Sequence, residues 1–460
     1  MKKFALLFVL LFVVIVLLPI IGNKVAQSIL DEKIEILKSN GIEVVENKSD
    51  SSYLQTKKHY EFLLSDASKF LEYLNKFSNN KIPPYANILL DGVRIGIDLE
   101  YSNFPLAKEL SIDVYPLTLS STIQSDLQEK DADFYTHIKT FLENHGVLYH
   151  INYNIATSDF NGYLKDIKEE YSLKNGSRTV VNLSNAIFNG KGDLIAPSEF
   201  VSSVEQMMLQ IYDANDAFTF NMQNFNSKSI FESQTTYISS AKVERVEMSL
   251  RGKSTDNFEL NASKMGLNMS ANTQGVKAEF YSKANIESLV MRSNILNFKA
   301  SNFNYDVALN DVDKDSLEKL RVGVSKLKSD STVELLEEVQ ESAIALLSRG
   351  MVFDIADFSI ANIVIDDVKD LEGLSIKSRV TLKEDMSLKQ KIQYAPIMII
   401  QSLNIDTKLQ LSHALFEAIV QTMPMISLAK AYAKEDANTL SFDIRFMDGA
   451  FKINDKAIKF

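Results

Sequence analysis

The sequence predicts a mainly β chain with inserted helices, an α+β protein in which an N-terminal transmembrane helix is followed by an extended antiparallel, curved β-sheet body. Three observations carry this reading. Phe4 to Ile21 contains no charged residue. The stretch 217–309 alternates apolar and polar residues almost without a break. Elsewhere single amphipathic helical patterns interrupt the strand runs. Composition agrees: 45% hydrophobic and 24% charged residues describe a chain that can bury a core. A net charge of −11 argues against a nucleic-acid partner. The chain has no Cys, which excludes disulfides, thiolate zinc sites and cysteine nucleophiles.

The N-terminus reads Met1-Lys2-Lys3 and then the uncharged run, long enough as a helix for a hydrocarbon core of about 30 Å. A signal peptide has a shorter apolar region and a small-x-small cleavage site. Here Ala26 has Lys24 two residues before it, so the reading is a retained anchor, with Phe4, Leu10, Val14, Leu18 and Ile21 in the bilayer. Lys2 and Lys3 put the N-terminus inside by the positive-inside rule. The expected location is the inner (cytoplasmic) membrane, with the body in the periplasm.

A helix is expected to continue to Asn40-Gly41, and Ile42 to Val45 to begin a strand. Phe70, Leu71, Leu74 and Phe77 mark a short amphipathic helix. From Ile95 the period becomes two: Ile95, Ile97 and Leu99, then Leu110, Ile112 and Val114. Phe134, Ile138, Phe141 and Leu142 predict a helix closed by Gly146, followed by strands over 147–155 and 179–183. Phe200, Val204, Met207, Met208 and Ile211 predict another helix over Ser198–Ala214, entered through Pro197.

In the middle section Val246, Met248 and Leu250 alternate, as do Phe258, Leu260 and Ala262, and Phe303, Tyr305, Val307 and Leu309. Turn signals fall at Arg251–Ser254, Thr273–Gly275 and Asn310–Asp313. This is the pattern of an antiparallel meander with one apolar and one wet face. Ser331-Thr-Val-Glu334 reads as a capping box. The helix behind it ends at Gly350. A last helix starts near Ser412 and is interrupted at Pro424. Met447-Asp-Gly449 marks a closing hairpin.

The organisation expected is an anchor over 1–22, an entry region over 23–84, a β-rich body over 85–330 with helices near 131–145 and 198–214, and a β-rich C-terminal part over 331–460 with helices near 332–349 and 413–433.

No catalytic, cofactor-binding or metal-ligating residue stands out, no cofactor is expected, and the chain does not read as an enzyme. His137 and His145, eight apart on one expected helix, would sit about 12 Å apart, too far to share a metal with each other. Asp311, Asp313 and Asp315 resemble the start of a calcium loop, but Ser316 stands where the loop needs Gly and Val322 where it needs Glu. They read as a solvated turn. The remaining clue is the ratio of one-sided strands to covering helices. The candidate apolar sheet face is Phe258, Leu260, Val276, Phe280, Phe303, Tyr305 and Val307. A closed sandwich would bury it; an open groove would hold phospholipid acyl chains. The competing expectation is an adaptor that binds protein partners or a second copy of itself through sheet edges.

At its ends the sequence resembles the YdgA-like family of bacterial inner-membrane and periplasmic proteins of unknown function. The resemblance lies in the basic-apolar start followed by Gly22, and in Phe442-Asp-Ile-Arg-Phe-Met-Asp-Gly-Ala-Phe-Lys-Ile-Asn454 with Asp455-Lys456 after it. It covers about fifty terminal residues; Asp455 stands where the family has Gly. It implies a single inner-membrane span, a periplasmic body able to form a homodimer, no assigned enzyme activity and no catalytic residues to carry over. The plan of an anchor and an amphipathic sheet is also similar to the AsmA-like proteins of envelope lipid traffic, at the level of fold.

Overall fold

The computed structural model describes residues 34–458, apart from 53–54, 76–85, 103–108, 173–175, 195–196, 214, 234, 253–256, 328–331, 366–367 and 448. The anchor residues Phe4, Leu10, Val14, Leu18 and Ile21 lie outside the described residues. Among those described, no helix is long and apolar enough to cross a membrane. The chain is β-rich, with antiparallel strands and several inserted helices. Contacts group it into two compact units, residues 1–234 and 235–460.

The first unit begins with β1 (Ile42–Ser51) and β2 (Gln55–Leu64). Helices α1 (Ala67–Asn75) and α2 (Ala86–Leu90) come next, then β3 (Arg94–Ser102) and β4 (Glu109–Pro116). Helices α3 (Ser121–Lys130) and α4 (Ala132–Glu143) lead to β5 (Tyr149–Asn154) and β6 (Asp159–Leu164). Strands β7 (Ile167–Ser172), β8 (Arg178–Ser184), β9 (Ala186–Gly192), β10 (Pro197–Tyr212) and β11 (Asp216–Phe231) complete it. The strands β1 to β6 pair in sequence, each antiparallel to the last. β6 then pairs with β9 and β7 with β8, while β10 spans both β9 and β8.

The alternation in β2 to β5 decides what the helices cover. Tyr60, Phe62 and Leu64, Ile95, Ile97 and Leu99, Ile112 and Val114, and Ile151 are all buried in one cluster with Phe70, Leu71, Leu127, Phe134, Ile138 and Leu142 of the helices. Asp131 caps α4 by accepting from the Phe134 N–H at 3.1 Å. The residues between, including His59, Asp98, Asp113 and His150, are only partly buried. Polar chemistry on this sheet is therefore on the side away from the helices.

The helix expected over Ser198–Ala214 is the strand β10. The reason is a break in the ladder. Val204 pairs with Phe225 and Gln206 with Gln223, while Glu205 and Asn224 drop out, and Asn224 is left-handed at φ 51. On both strands the in–out alternation shifts at this step, through the left-handed Asn224 on β11 and the unpaired Glu205 on β10, and Val204 and Met207 pack against the same cluster. Apolar residues three apart, Val204 and Met207, then stay on one side. With Phe200 and Ile211 they imitate helical spacing inside a strand.

The second unit starts with β12 (Tyr237–Gly252), β13 (Phe258–Asn272), β14 (Lys277–Ser293) and β15 (Asn297–Asp313), each about 50 Å long at the usual rise. Helices α5 (Lys314–Leu327) and α6 (Val333–Ser348) follow. Next are β16 (Met351–Ile365), β17 (Val368–Leu382), α7 (Leu388–Tyr394) and a 3₁₀ turn over Pro396–Ser402. Then come β18 (Leu403–Ser412), α8 (His413–Thr422), a 3₁₀ stretch over Pro424–Tyr432, β19 (Lys434–Glu435), β20 (Thr439–Met447), β21 (Ala450–Ile453) and β22 (Lys456–Ile458). Pairing runs antiparallel from β12 through β18 in order, then through β20, β21 and β22.

The ladder break recurs here. Glu244 and Lys264 drop out between β12 and β13, Lys264 and Glu287 between β13 and β14, and Glu287 and Asn302 between β14 and β15. Lys264 and Asn302 are left-handed, at φ 47 and 50. All four are exposed. The apolar pairs Val243 and Val246, Ala262 and Met265, Ile286 and Leu289, and Ala300 and Phe303 straddle the break. Each strand thus keeps one apolar side along its whole length.

Four smaller expectations differ. α6 is capped by the Thr332 hydroxyl, which accepts from the Leu335 N–H at 3.4 Å, so the helix starts one residue later than the S-x-x-E pattern suggests. Asn310–Asp313 ends β15 rather than forming a turn. There Asp313 accepts from the Ser316 N–H and hydroxyl at the start of α5. His145 lies beyond the end of α4, with φ 52. Val276, expected on the apolar face, sits one residue before β14 in the turn and is 78% exposed. Its alternation with Ala278 and Phe280 is real, but the strand begins only at Lys277.

Candidate functional site

The register of the second unit assembles the expected face strand by strand. Leu260 pairs with Met291, Met291 with Phe298, and Phe298 with Ile365. A second row runs Leu267, Ala284, Tyr305, Phe358, Ile376, Leu409 and Phe442. A third runs Phe280, Leu309, Phe353, Val380, Ile405 and Phe446. Phe258, Leu260, Phe280, Phe303, Tyr305 and Val307 all belong to this floor; Val276 does not. The rows continue onto β16, β17, β18 and β20, which sequence reasoning did not add to the face because register is invisible without pairing.

Among the described residues, helices cover the floor at its two ends. At one end α8 brings Leu415 and Phe416 against Ile363, Leu411, Leu440 and Phe442. At the other, Leu317 and Leu320 of α5 and Leu346 of α6 pack with Ala278, Val312, Phe280 and Leu309. The middle residues Phe303, Tyr305, Val307, Ile355, Phe358 and Ile376 belong to neither cluster and are half-buried. Phe303 meets Phe358 edge-on with ring centres 5.6 Å apart. The floor is not wholly apolar. The Tyr305 hydroxyl lies 3.0 Å from Ser282 Oγ, and Ser378 Oγ lies 2.6 Å from Thr407 Oγ1. At the edge, Met425 is 83% and Leu428 73% exposed, while Ile426 and Ala429 of the same 3₁₀ stretch pack inward.

The first unit carries a different arrangement on its helix-free face. His59 stands opposite Asp98, Asp98 opposite Asp113, Asp113 opposite His150, and His150 opposite Tyr163. His59 Nδ1 is 2.6 Å from Asp98 Oδ1, and His150 Nδ1 is 2.7 Å from Asp113 Oδ1. The Tyr115 hydroxyl donates to Asp98 Oδ2 at 2.8 Å. Its ring stacks on His145 at 3.8 Å and lies across Gly96, where a Cβ would come within 2.3 Å of it. Burial and the Asp98 carboxylate push the Tyr115 hydroxyl well above the ordinary phenol range, so it stays a donor. Three of the five histidines, His59, His145 and His150, gather here. Sequence reasoning treated the histidines by their spacing along the chain, whereas the sheet brings them together across it.

Beside this row, Glu46, His59 and Glu61 offer ligand atoms that all lie within 4.8 Å of one another. His137 is elsewhere, 3.2 Å from Glu169. Comparison with family models, curated proteins and solved structures gives no match.

Proposed function

We propose that the chain is held at the inner membrane by residues 4–21, with the body on the periplasmic side, and that the floor of the second unit takes up or guides the acyl part of a phospholipid in envelope maintenance. The observation that carries this is the half-buried middle of the floor, Phe303, Tyr305, Val307, Phe358 and Ile376, left between two helical covers. Apolar surface left in water costs about 25 cal/mol per Å². Patches of this kind mark binding sites or membrane contacts. The exposed Met425 and Leu428 at the edge, and the uncharged run of Phe4 to Ile21, support a bilayer as the source of the ligand. The resemblance to YdgA-like proteins supports the same location.

The test is lipid extraction and mass spectrometry on residues 24–460, expressed without the anchor and purified without detergent. Stoichiometric phospholipid is expected, and replacing Tyr305 or Phe358 with Asp should release it while the circular dichroism spectrum is kept. A lipid-free body sinks the reading.

The adaptor reading draws on the same exposed edge, Met423, Met425 and Leu428, as a surface for a protein partner or a second copy. Sedimentation decides it: a monomer at every concentration removes the homodimer.

A further inference from the structure

We propose that Glu46, His59 and Glu61 bind a divalent transition-metal ion on the helix-free face of the first unit. The orientation of each side chain argues for it. Glu46 gives one oxygen, Oε1, to Lys48 and turns the other, Oε2, toward His59 Nε2 at 3.8 Å. Glu61 gives Oε2 to Arg94 at 2.6 Å and turns Oε1 toward the same Nε2, also at 3.8 Å. His59 in turn uses Nδ1 on Asp98, at 2.6 Å, which leaves Nε2 facing the two carboxylates. Asp98 is itself held by the Tyr115 hydroxyl.

Every ligand atom thus has its opposite atom anchored by a separate partner. This is how metal-binding imidazoles and carboxylates are oriented: the far nitrogen or oxygen is hydrogen-bonded, which fixes the tautomer and the aim. Three ligands about 2.1 Å from a tetrahedral ion stand about 3.4 Å apart. The two separations from His59 Nε2, 3.8 Å each, need to contract by a few tenths of an ångström, and the two carboxylate oxygens, within 4.8 Å of each other, close by side-chain rotation. One imidazole and two carboxylates suit zinc or manganese better than calcium, which prefers oxygen alone. Lys48 and Arg94 take only the outer oxygens, so neither has to leave. The side chains of Glu46, His59 and Glu61 are 32%, 27% and 19% exposed, so an ion can enter and keep water in a fourth position. The pair His150–Asp113 has the same two residue types, yet among the described residues it belongs to no such three-ligand group.

The test is calorimetric titration of the full chain, stripped with chelator, with zinc chloride and separately with manganese chloride. One equivalent is expected to bind. His59→Ala and Glu61→Gln should weaken binding on the order of 100-fold, and Asp98→Asn, which only aims the imidazole, about 10- to 100-fold. His150→Ala should leave affinity unchanged. A zinc-dependent rise in melting temperature should appear in the parent chain and vanish in the exposed-side variant Glu46→Gln, which keeps the fold testable if His59→Ala unfolds. No saturable equivalent, or affinity that persists in His59→Ala and Glu46→Gln, overturns the proposal.

Discussion

Asp98 and Asp113 stand opposite one another across β3 and β4, and each is closed on its outer side by a histidine, His59 on one and His150 on the other. Two carboxylates in direct cross-strand register repel. The arrangement holds because each accepts a short bond from a ring nitrogen and Asp98 a further one from Tyr115. Tyr115→Phe removes that donor and keeps the ring on Gly96. The expected loss is about 1–2 kcal/mol of unfolding free energy, read from urea melts. No loss would mean that the histidine alone suffices for Asp98.

Gly96→Ala should act on the same residue from below. Its Cβ would fall 2.3 Å from the Tyr115 ring, which is 3% exposed and has little room to move. Overpacking of this kind costs about 1–3 kcal/mol. The Tyr115→Phe and Gly96→Ala costs should not add, because both act through the position of one ring. A double variant with simply summed costs would count against the coupling.

Asp385 ties the α7 segment to its surroundings. It accepts from Lys391 Nζ at 2.7 Å and Ser402 Oγ at 2.9 Å through one oxygen, and from the Ser387 N–H and hydroxyl through the other. Lys391 first, and then Ser387, hold its carboxyl well below the usual carboxylate range. A depressed folded pKa contributes stability that is complete above the unfolded value, about 3.9, and is lost as pH falls toward the folded value. Melting temperature should therefore drop as pH falls below about 4, and Asp385→Asn should make that drop shallower. Equal slopes in the two proteins would exclude Asp385 as a source of the acid sensitivity.

The left-handed residue at the ladder break separates backbone from side-chain effects. At Asn302, with φ 50, a β-branched residue meets the steric cost of that region, about 1–2 kcal/mol, whereas glycine meets none. Asn302→Val should lower stability by that amount, and Asn302→Gly should leave it within about 0.5 kcal/mol of the parent. Equal destabilisation by both would place the effect in the asparagine side chain.

The strands of 237–309 were legible because their alternation is strong and their turns are marked. Over 198–214 the apolar spacing imitates a helix because it runs across a break in the strand ladder. A cue to that break was nevertheless present. V-E-Q-M at 204, V-E-R-V at 243 and I-E-S-L at 286 place Glu between apolar residues three apart. M-Q-N-F at 222, A-S-K-M at 262 and A-S-N-F at 300 place the left-handed residue likewise. The apolar floor was legible in part, since each strand declares its own apolar side. Val276 was misplaced because alternation does not say where a strand begins. The row His59, Asp98, Asp113, His150 was not legible at all. Its members are separated by 39, 15 and 37 positions, and only pairing makes them neighbours.

Long alternating strands have an ambiguity: sliding one by two residues against its neighbour keeps every apolar side chain on the apolar side. Burial alone would not penalise the slip in strands of 15 to 17 residues. The breaks at Glu244, Lys264, Glu287 and Asn302 remove that freedom. A strand displaced by two would set its interrupted step against an unbroken one and forfeit hydrogen bonds on both sides. The break is thus a vernier mark, cut at matching points in successive strands, by which a sheet too regular to align itself finds a single alignment.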